Sequence, residues 1–272
     1  MLMKMTCQNE ERCDVLGVGI SPTSLPAAVR TVQGWIARLQ RHYVCVTGMH
    51  GVIECQRDEE LKRIHNGAGM VTPDGMPMVW LSKLCGFSQT QRVYGPDLML
   101  EICAASVAAG HRHFFYGGNE GIADLLAEQL RKKFPGIQIV GTFCPPFRKL
   151  TDEEDRNLIN VINACSPDIV WVGLSTPKQE RWMASHRAHL NASTLIGVGA
   201  AFDFHAGIKK QAPKWMQKNG LEWLFRLLSE PRRLWKRYCL GIPQFLWYLL
   251  LQSLRLKNFD VEPDSAQEFA SV

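Results

Sequence analysis

Short apolar, β-branched runs alternate with amphipathic helical stretches along most of this chain, and that alternation limits its possible folds most strongly. The runs are Asp14–Ile20, Tyr43–Thr47, Met70–Thr72, His113–Tyr116, Ile137–Thr142, Ile169–Val172 and Thr194–Val198. Helical patterns lie between them, at 25–40, 51–66, 77–84, 97–109, 121–134, 151–165 and 178–190. A helix placed between consecutive strands makes a crossover, and crossovers set strands parallel. The expected fold class is α/β, a Rossmann-like parallel sheet flanked by helices. No internal repeat breaks the pattern.

In such sheets ligands bind outside the carboxyl ends of the strands. The loops at those ends are distinctive here. Thr47 is followed by Gly48-Met49-His50-Gly51, and the Met70 strand by Pro73-Asp74-Gly75. Further along come Gly117-Gly118-Asn119, Ser175-Thr176-Pro177-Lys178-Gln179-Glu180 and Ala200-Ala201-Phe202-Asp203. Gly117-Gly118 joins a strand to a helix, so its bare backbone suits either the approach of a nucleotide diphosphate or a plain tight turn. Pro73-Asp74-Gly75 reads as a turn, or as a carboxylate offered as a general base. Gln179, just inside a helix, either caps that helix or reaches a sugar or uracil.

The charge is unevenly spread. Of a formal net charge of +5, the first 206 residues contribute nothing. The excess lies in 207–238, GIKKQAPKWMQKNGLEWLFRLLSEPRRLWKRY, with nine basic residues against two acidic ones and Trp215, Trp223 and Trp235 among them. Cations interleaved with amphipathic aromatics suit a surface that meets phosphate and a membrane interface together. The plainer alternative is a solvated basic helix with its Trp rings on the core. Arg226, Arg233 and Arg237 fall within roughly 40° of one another on a continuous helix, with Pro231 positioned to interrupt it. Leu221, Leu224, Leu228, Trp235 and Tyr238 are the candidate apolar face beside them. The expected organisation is a catalytic domain over 1–206, a basic amphipathic appendage over 207–256, and an acidic flexible tail over 257–272.

Other classes find little support. Nine scattered cysteines without a C-x-x-C pair read as reduced packing residues, not a disulfide frame or zinc site. The histidines form neither H-x-x-x-H nor H-E-x-x-H, and there is no D-x-D element. The acidic run Thr151-Asp152-Glu153-Glu154-Asp155 fits a capping box better than a metal cluster. The start has no apolar core of leader length. The longest apolar run, Leu240 to Leu254, is interrupted by Pro243, Gln244 and Gln252 and is shorter than the ~20 residues that span a bilayer.

Together, several stretches resemble the bacterial WecG/TagA/CpsF glycosyltransferase family. They are Thr47 with its loop, VTPDGMPMVW (71–80), RVYGPDLM (92–99), FFYGG (114–118), VGLSTPKQERW (172–182), GVGAAFDFHAG (197–207) and the basic segment 212–238. The resemblance covers roughly 14–240. It implies an inverting, metal-independent enzyme without a cofactor, moving a sugar from a UDP-sugar donor to a polyprenyl-diphosphate-linked sugar. It further implies a cytoplasmic protein held peripherally at the inner face of the cell membrane, on an anionic surface, with no nucleic-acid partner. By position, Asp74 matches the family's catalytic base and Thr47 an active-site residue. Arg92, Asp97 and Gln179 match further motif positions, grouped with Gly117 and Gly118 as the donor side. Arg226, Arg233 and Arg237 match the basic residues of the appendage, expected to meet the acceptor diphosphate and the membrane. Many members carry an Asn shortly after the Thr47 position, where this chain has Gly48-Met49-His50. Two rival classes remain at this stage: a nicotinamide-dependent oxidoreductase, which needs a glycine fingerprint the chain lacks, and a non-enzymatic basic adaptor for membrane or nucleic acid.

Overall fold

The computed structural model describes residues 12–259; the stretch read for a leader and the acidic residues from 260 onward lie outside them. The elements in chain order are β1 (Cys13–Val15), β2 (Val18–Ile20), α1 (Leu25–Ala37), β3 (His42–Thr47), α2 (Met49–Arg57), α3 (Glu59–Asn66), β4 (Met70–Pro73), α4 (Met76–Leu84), α5 (Gly95–Ala109), β5 (Arg112–Gly117) and α6 (Ile122–Lys133). Then follow β6 (Gln138–Phe143), α7 (Asp152–Cys165), β7 (Ile169–Gly173), α8 (Lys178–His186), β8 (Thr194–Gly197), α9 (Ala201–His205), α10 (Lys214–Lys218), α11 (Glu222–Ser229), α12 (Pro231–Trp235), a π-helical turn (Lys236–Leu240) and α13 (Gly241–Ser253).

β3 to β8 form one parallel sheet in the order β4-β3-β8-β7-β5-β6. Because side chains alternate along a strand, the sheet feeds two separate cores. Tyr43, Cys45, Val170 and Val172 point to the face that α2, α3, α7 and α8 cover. Val44, Ile169 and Trp171 point to the other, covered by α1, α5, α6 and α9. The chain therefore leaves β3 toward one face and the adjacent β8 toward the other. Diverging loops leave a crevice between the carboxyl ends of neighbouring strands, which is where such sheets hold ligands.

Three local readings change. The run Asp14–Ile20 is not one strand. Leu16 and Gly17 take positive φ and fold it into an antiparallel hairpin outside the main sheet. The pattern over 51–66 is two helices, because Asp58 is extended and its carboxylate caps α3 through the Leu61 amide at 3.0 Å. Nor do Arg226, Arg233 and Arg237 share one helix. The interruption expected at Pro231 is present: Glu230 leaves helical geometry (φ −136°, ψ 61°), Pro231 opens a new helix, and the π-turn then shifts the phase of Arg237. The acidic run at 152–155 does form a capping box, with Thr151 and Glu154 satisfying each other's amides.

The basic segment is not a solvated helix with its rings on the core. Trp215, Trp223 and Trp235 are exposed, and so is Leu228 of the expected apolar face, whereas Tyr238 is buried. No described helix is long and apolar enough to cross a membrane.

Candidate active site

The crevice at the carboxyl edge opens into a cavity of about 1370 Å³. Its sheet-side wall is made by the ends of β3, β4, β7 and β8, carrying Thr47, Asp74, Thr176, Gln179 and Gly199. The facing wall comes from α10 to α13 and carries Arg226, Arg233 and Arg237. The structure thus joins residues more than 150 positions apart in the chain.

Asp74 is fixed by its backbone. Its amide donates to the Thr47 carbonyl at 3.1 Å, continuing the β3–β4 ladder one step past the strands. Arg92 Nε donates to the Asp74 carbonyl at 2.7 Å, and the Gly95 amide donates to Oδ1 at 3.4 Å. The free oxygen faces Gly48, where an added Cβ would lie 3.7 Å from Oδ2. Burial pushes this carboxyl above the ordinary aspartate range; Arg92 opposes that, Glu222 adds to it, and Arg226 and the Gly95 amide oppose it. A carboxylate made more basic while held at a strand end can take a proton near neutral pH.

Glu222, on α11, was not singled out from the sequence, where it is one of two acids in a basic run. Its carboxylate is shared between Arg92 of the sheet domain, through Nη2, and Arg226 Nε at 3.3 Å. Arg92 Nη1 also reaches Gln217 Oε1 at 3.5 Å. A chain of charge therefore runs from the Asp74 backbone through Arg92 and Glu222 to Arg226. Only the spatial meeting of residues 92 and 222 could have shown it.

The three appendage arginines differ in how far they are committed. Arg226 is paired with Glu222 and stacks over Phe204, 5.4 Å from the ring centre. Arg233 is exposed and paired with Glu230. Arg237 is partly buried, and its Nε is shielded from solvent without a hydrogen-bond partner. Among the described residues no carboxylate lies within ion-pair distance of Arg237. Burial lowers its pKa from the ordinary guanidinium value, against a smaller upward pull from Tyr238. His50 lines the same region, and burial, then Arg237 and Arg57, pushes its imidazole down to about 3. It is neutral at pH 7 and adds no charge there.

Gln179 is almost wholly buried, and its Nε2 donates to Glu180 Oε1 at 3.0 Å. That bond leaves the amide oxygen without a partner, as are the Thr47 hydroxyl and Glu180 Oε2. Unpaired buried polar atoms beside a cavity are groups a ligand or water can satisfy.

Gly117, Gly118 and Asp97 are not brought to this cavity. At Gly117, φ is +124° and an added Cβ would stand 2.7 Å from the Gly173 backbone. At Gly118, φ is +77° and the neighbours are Ile122 and Phe202. Gly117 serves the close pairing of β5 with β7 at Gly173, and Gly118 the packing of the following turn against Ile122 and Phe202. Asp97 lies in the first turn of α5 and pairs with Lys214 at 3.3 Å. Among the described residues no three His, Cys, Asp or Glu side chains converge to hold a metal ion.

A model of the family described as Glycosyl transferase WecG/TagA/CpsF matches residues 13–259. An N-acetylglucosaminyldiphosphoundecaprenol N-acetyl-beta-D-mannosaminyltransferase of Bacillus spizizenii is 31% identical over 197 residues, 72% of this chain and 74% of that protein. The protein of the same name from Bacillus subtilis is 26% identical over 250 residues, 89% of this chain and 94% of its own length. One from Staphylococcus aureus is 24% identical over 254 residues, 92% and 96% of the two chains.

Proposed function

The chain belongs to the WecG/TagA/CpsF glycosyltransferase family, and from that premise we propose that it moves N-acetylmannosamine, or a related hexose, from a UDP-sugar to a sugar carried on a polyprenyl diphosphate. An oxidoreductase and a non-enzymatic adaptor are set aside by that membership. The relatives' names specify an acceptor with N-acetylglucosamine on diphosphoundecaprenol and a transferred N-acetylmannosamine. Both suit a cavity larger than the ~300–1,000 Å³ of sites for one small molecule.

In this reading Asp74 removes the proton from an acceptor hydroxyl. That oxygen attacks the anomeric carbon of the donor from the face opposite the nucleotide, and the configuration inverts in one displacement. Negative charge then grows on the departing diphosphate. Arg237 meets it, supported by Arg226, in place of a divalent ion; fixed cations in a water-poor cleft stabilise such charge without reorganising. Gln179 and Thr47 offer their unsatisfied oxygens to sugar hydroxyl or N-acetyl groups. The observation that carries the proposal is the pairing of a basic carboxylate, Asp74, with an uncommitted guanidinium, Arg237, across one cleft. The exposed Trp215, Trp235 and Trp247 beside the lysines and arginines of 209–237 fit a seat on the anionic inner face of the cell membrane.

The test is a panel of UDP-sugars incubated with synthetic polyprenyl-diphosphate acceptors in chelator, with the lipid product followed by mass spectrometry. Transfer of an N-acetylhexosamine or hexose with inverted configuration is expected. Absence of product from every UDP-sugar rejects the donor assignment, and transfer that appears only on adding manganese rejects the role given to the arginines.

A further inference from the structure

Glu180 is the third residue of α8, a position from which glutamate ordinarily reaches back to the amide of the helix cap. Here the cap is Pro177, which has no N–H to give, so that bond cannot form. The side chain is nevertheless fully buried, where a carboxyl group is costly unless it is paired. Its Oε1 accepts from the Thr176 hydroxyl at 2.8 Å and from Gln179 Nε2 at 3.0 Å. Both donors are side chains at the cavity wall. An amide has a donor end and an acceptor end, and Glu180 decides which way Gln179 faces. Oε1 accepts whether or not Oε2 carries a proton, so a reversed amide would set two oxygens against each other.

The Gln179 oxygen accordingly turns away from Glu180, to 3.4 Å from where a Cβ on Gly199 would stand, and has no partner among the described residues. Gly197 makes room for the amide, since a Cβ there would come within 3.1 Å of both Cδ and Nε2. Strand register locates the oxygen. Cys45 of β3 pairs with Gly197 of β8, so Gly199 is level with Thr47, whose carbonyl holds the Asp74 amide. Two strand spacings, roughly 10 Å, therefore separate Gly199 from the base. We propose that Glu180 is a positioning residue for the sugar donor: it fixes Gln179 as a hydrogen-bond acceptor. The site then selects a transferred sugar that offers a hydroxyl or acetamido N–H at this point, and disfavours one that offers only an acceptor. The inference rests on the donor reading given under Proposed function and deepens it. The sugar is the partner, not the nucleotide, because the transferred group must sit between the base and the departing diphosphate.

The test is calorimetry with UDP-N-acetylmannosamine and with UDP, read as the ratio of the two affinities. Glu180→Met removes the acceptor at similar length and frees the Gln179 amide to turn. The ratio is expected to fall about tenfold, the scale of one hydrogen bond, with UDP itself bound as before. Glu180→Gln keeps an oxygen at the Oε1 position and should hold the ratio within about twofold of the wild type. Gln179→Leu should lower the ratio as far as Glu180→Met does, and the double variant no further, because the glutamate acts through the amide. Losses that multiply in the double variant overturn the proposal, as does a loss in Glu180→Gln or an equal loss for UDP. Should Glu180→Met fail to fold, the side-chain amide resonances of Gln179 decide, assigned by their absence from Gln179→Leu. They are expected to exchange slowly with solvent in the wild type and to move in Glu180→Gln. Exchange as fast as that of exposed glutamines overturns the proposal. Resonances that behave as expected in a protein that binds no UDP-sugar leave the orientation of Gln179 standing and reject the donor reading instead.

Discussion

The two walls of the cleft are built on different physics. Thr47 and Asp74 stand at the ends of β3 and β4, inside a ladder of backbone hydrogen bonds, with buried apolar residues on either side. Across from them, α10, α11 and α12 are five, eight and five residues long, and α11 buries no residue fully. Helices this short are marginal alone. They are held to the sheet domain in part by ion pairs: Arg92 with Glu222, Lys209 with Asp203 at 3.1 Å, and Lys214 with Asp97. One wall fixes the base before any ligand arrives. The other presents cations on a mount whose attachments are solvent-exposed at Lys209 and Lys214 and shielded only at Arg92.

The largest effect should come from the rigid wall. Asp74→Asn keeps the backbone bonds to Thr47 and Arg92 and removes only the proton acceptor. Turnover is expected to fall by about 10³-fold, within the range general-base groups contribute, while UDP binding changes less than twofold by calorimetry. At pH values above the folded-state pKa of Asp74 the same variant should melt higher than the wild type. A carboxyl whose folded-state pKa is raised lends stability below its unfolded pKa and loses it as pH rises through the folded value. Above that folded value the ionised Asp74 is therefore a cost that asparagine removes. Turnover close to the wild-type value would end its assignment as base.

Within the cationic wall, commitment to a partner should grade the losses. Arg237→Ala removes the guanidinium with no carboxylate partner and is expected to lower kcat/KM by about 10²-fold, the scale for one oxyanion-stabilising donor. Arg233→Ala removes an exposed side chain already paired with Glu230 and should cost only about threefold, since such pairs are worth little. Equal losses in the two variants would show that total charge, not placement, governs this wall.

That contrast also explains what could be read from the chain beforehand. The parallel sheet follows from local periodicity, and Asp74 and Gln179 from the strand-end rule, because both depend on residues near each other in sequence. The hairpin at 13–20 was hidden because Val15, Leu16 and Val18 read as one apolar run, and only the positive φ of Leu16 and Gly17 breaks it. Gly117 and Gly118 read either as a phosphate cradle or as a tight turn, and the residues packed against them, Gly173 and Phe202, are remote in sequence. Glu222 could not be found by pattern, since its role is defined by Arg92, 130 residues away.

Glu222 is where the two walls can be separated. Its replacement by Ala leaves two guanidinium groups in a shielded site without their counter-ion. Breaking a buried pair costs about 3–5 kcal/mol, and this one is partly solvated, so about 2 kcal/mol of unfolding free energy is expected to be lost in urea titrations. Activity should drop about tenfold with it, as α11 loosens. A variant of wild-type stability would mean that the apolar contacts of the appendage, not this latch, hold the second wall.

The finest distinction concerns sign, not size. Activity that needs ionised Asp74 rises with pH through its pKa, so the acid limb of the kcat/KM profile should lie above the usual aspartate range. Glu222 raises that pKa and Arg92 lowers it. Glu222→Gln should accordingly shift the limb toward lower pH, and Arg92→Gln toward higher pH, while Arg233→Gln leaves it in place. The shifts must oppose one another because the two side chains carry opposite charge beside the same carboxyl group, whatever they do to turnover. Limbs that move in the same direction would indicate that both variants act by loosening the appendage and changing the burial of Asp74, and that its basicity is set by exclusion of water alone.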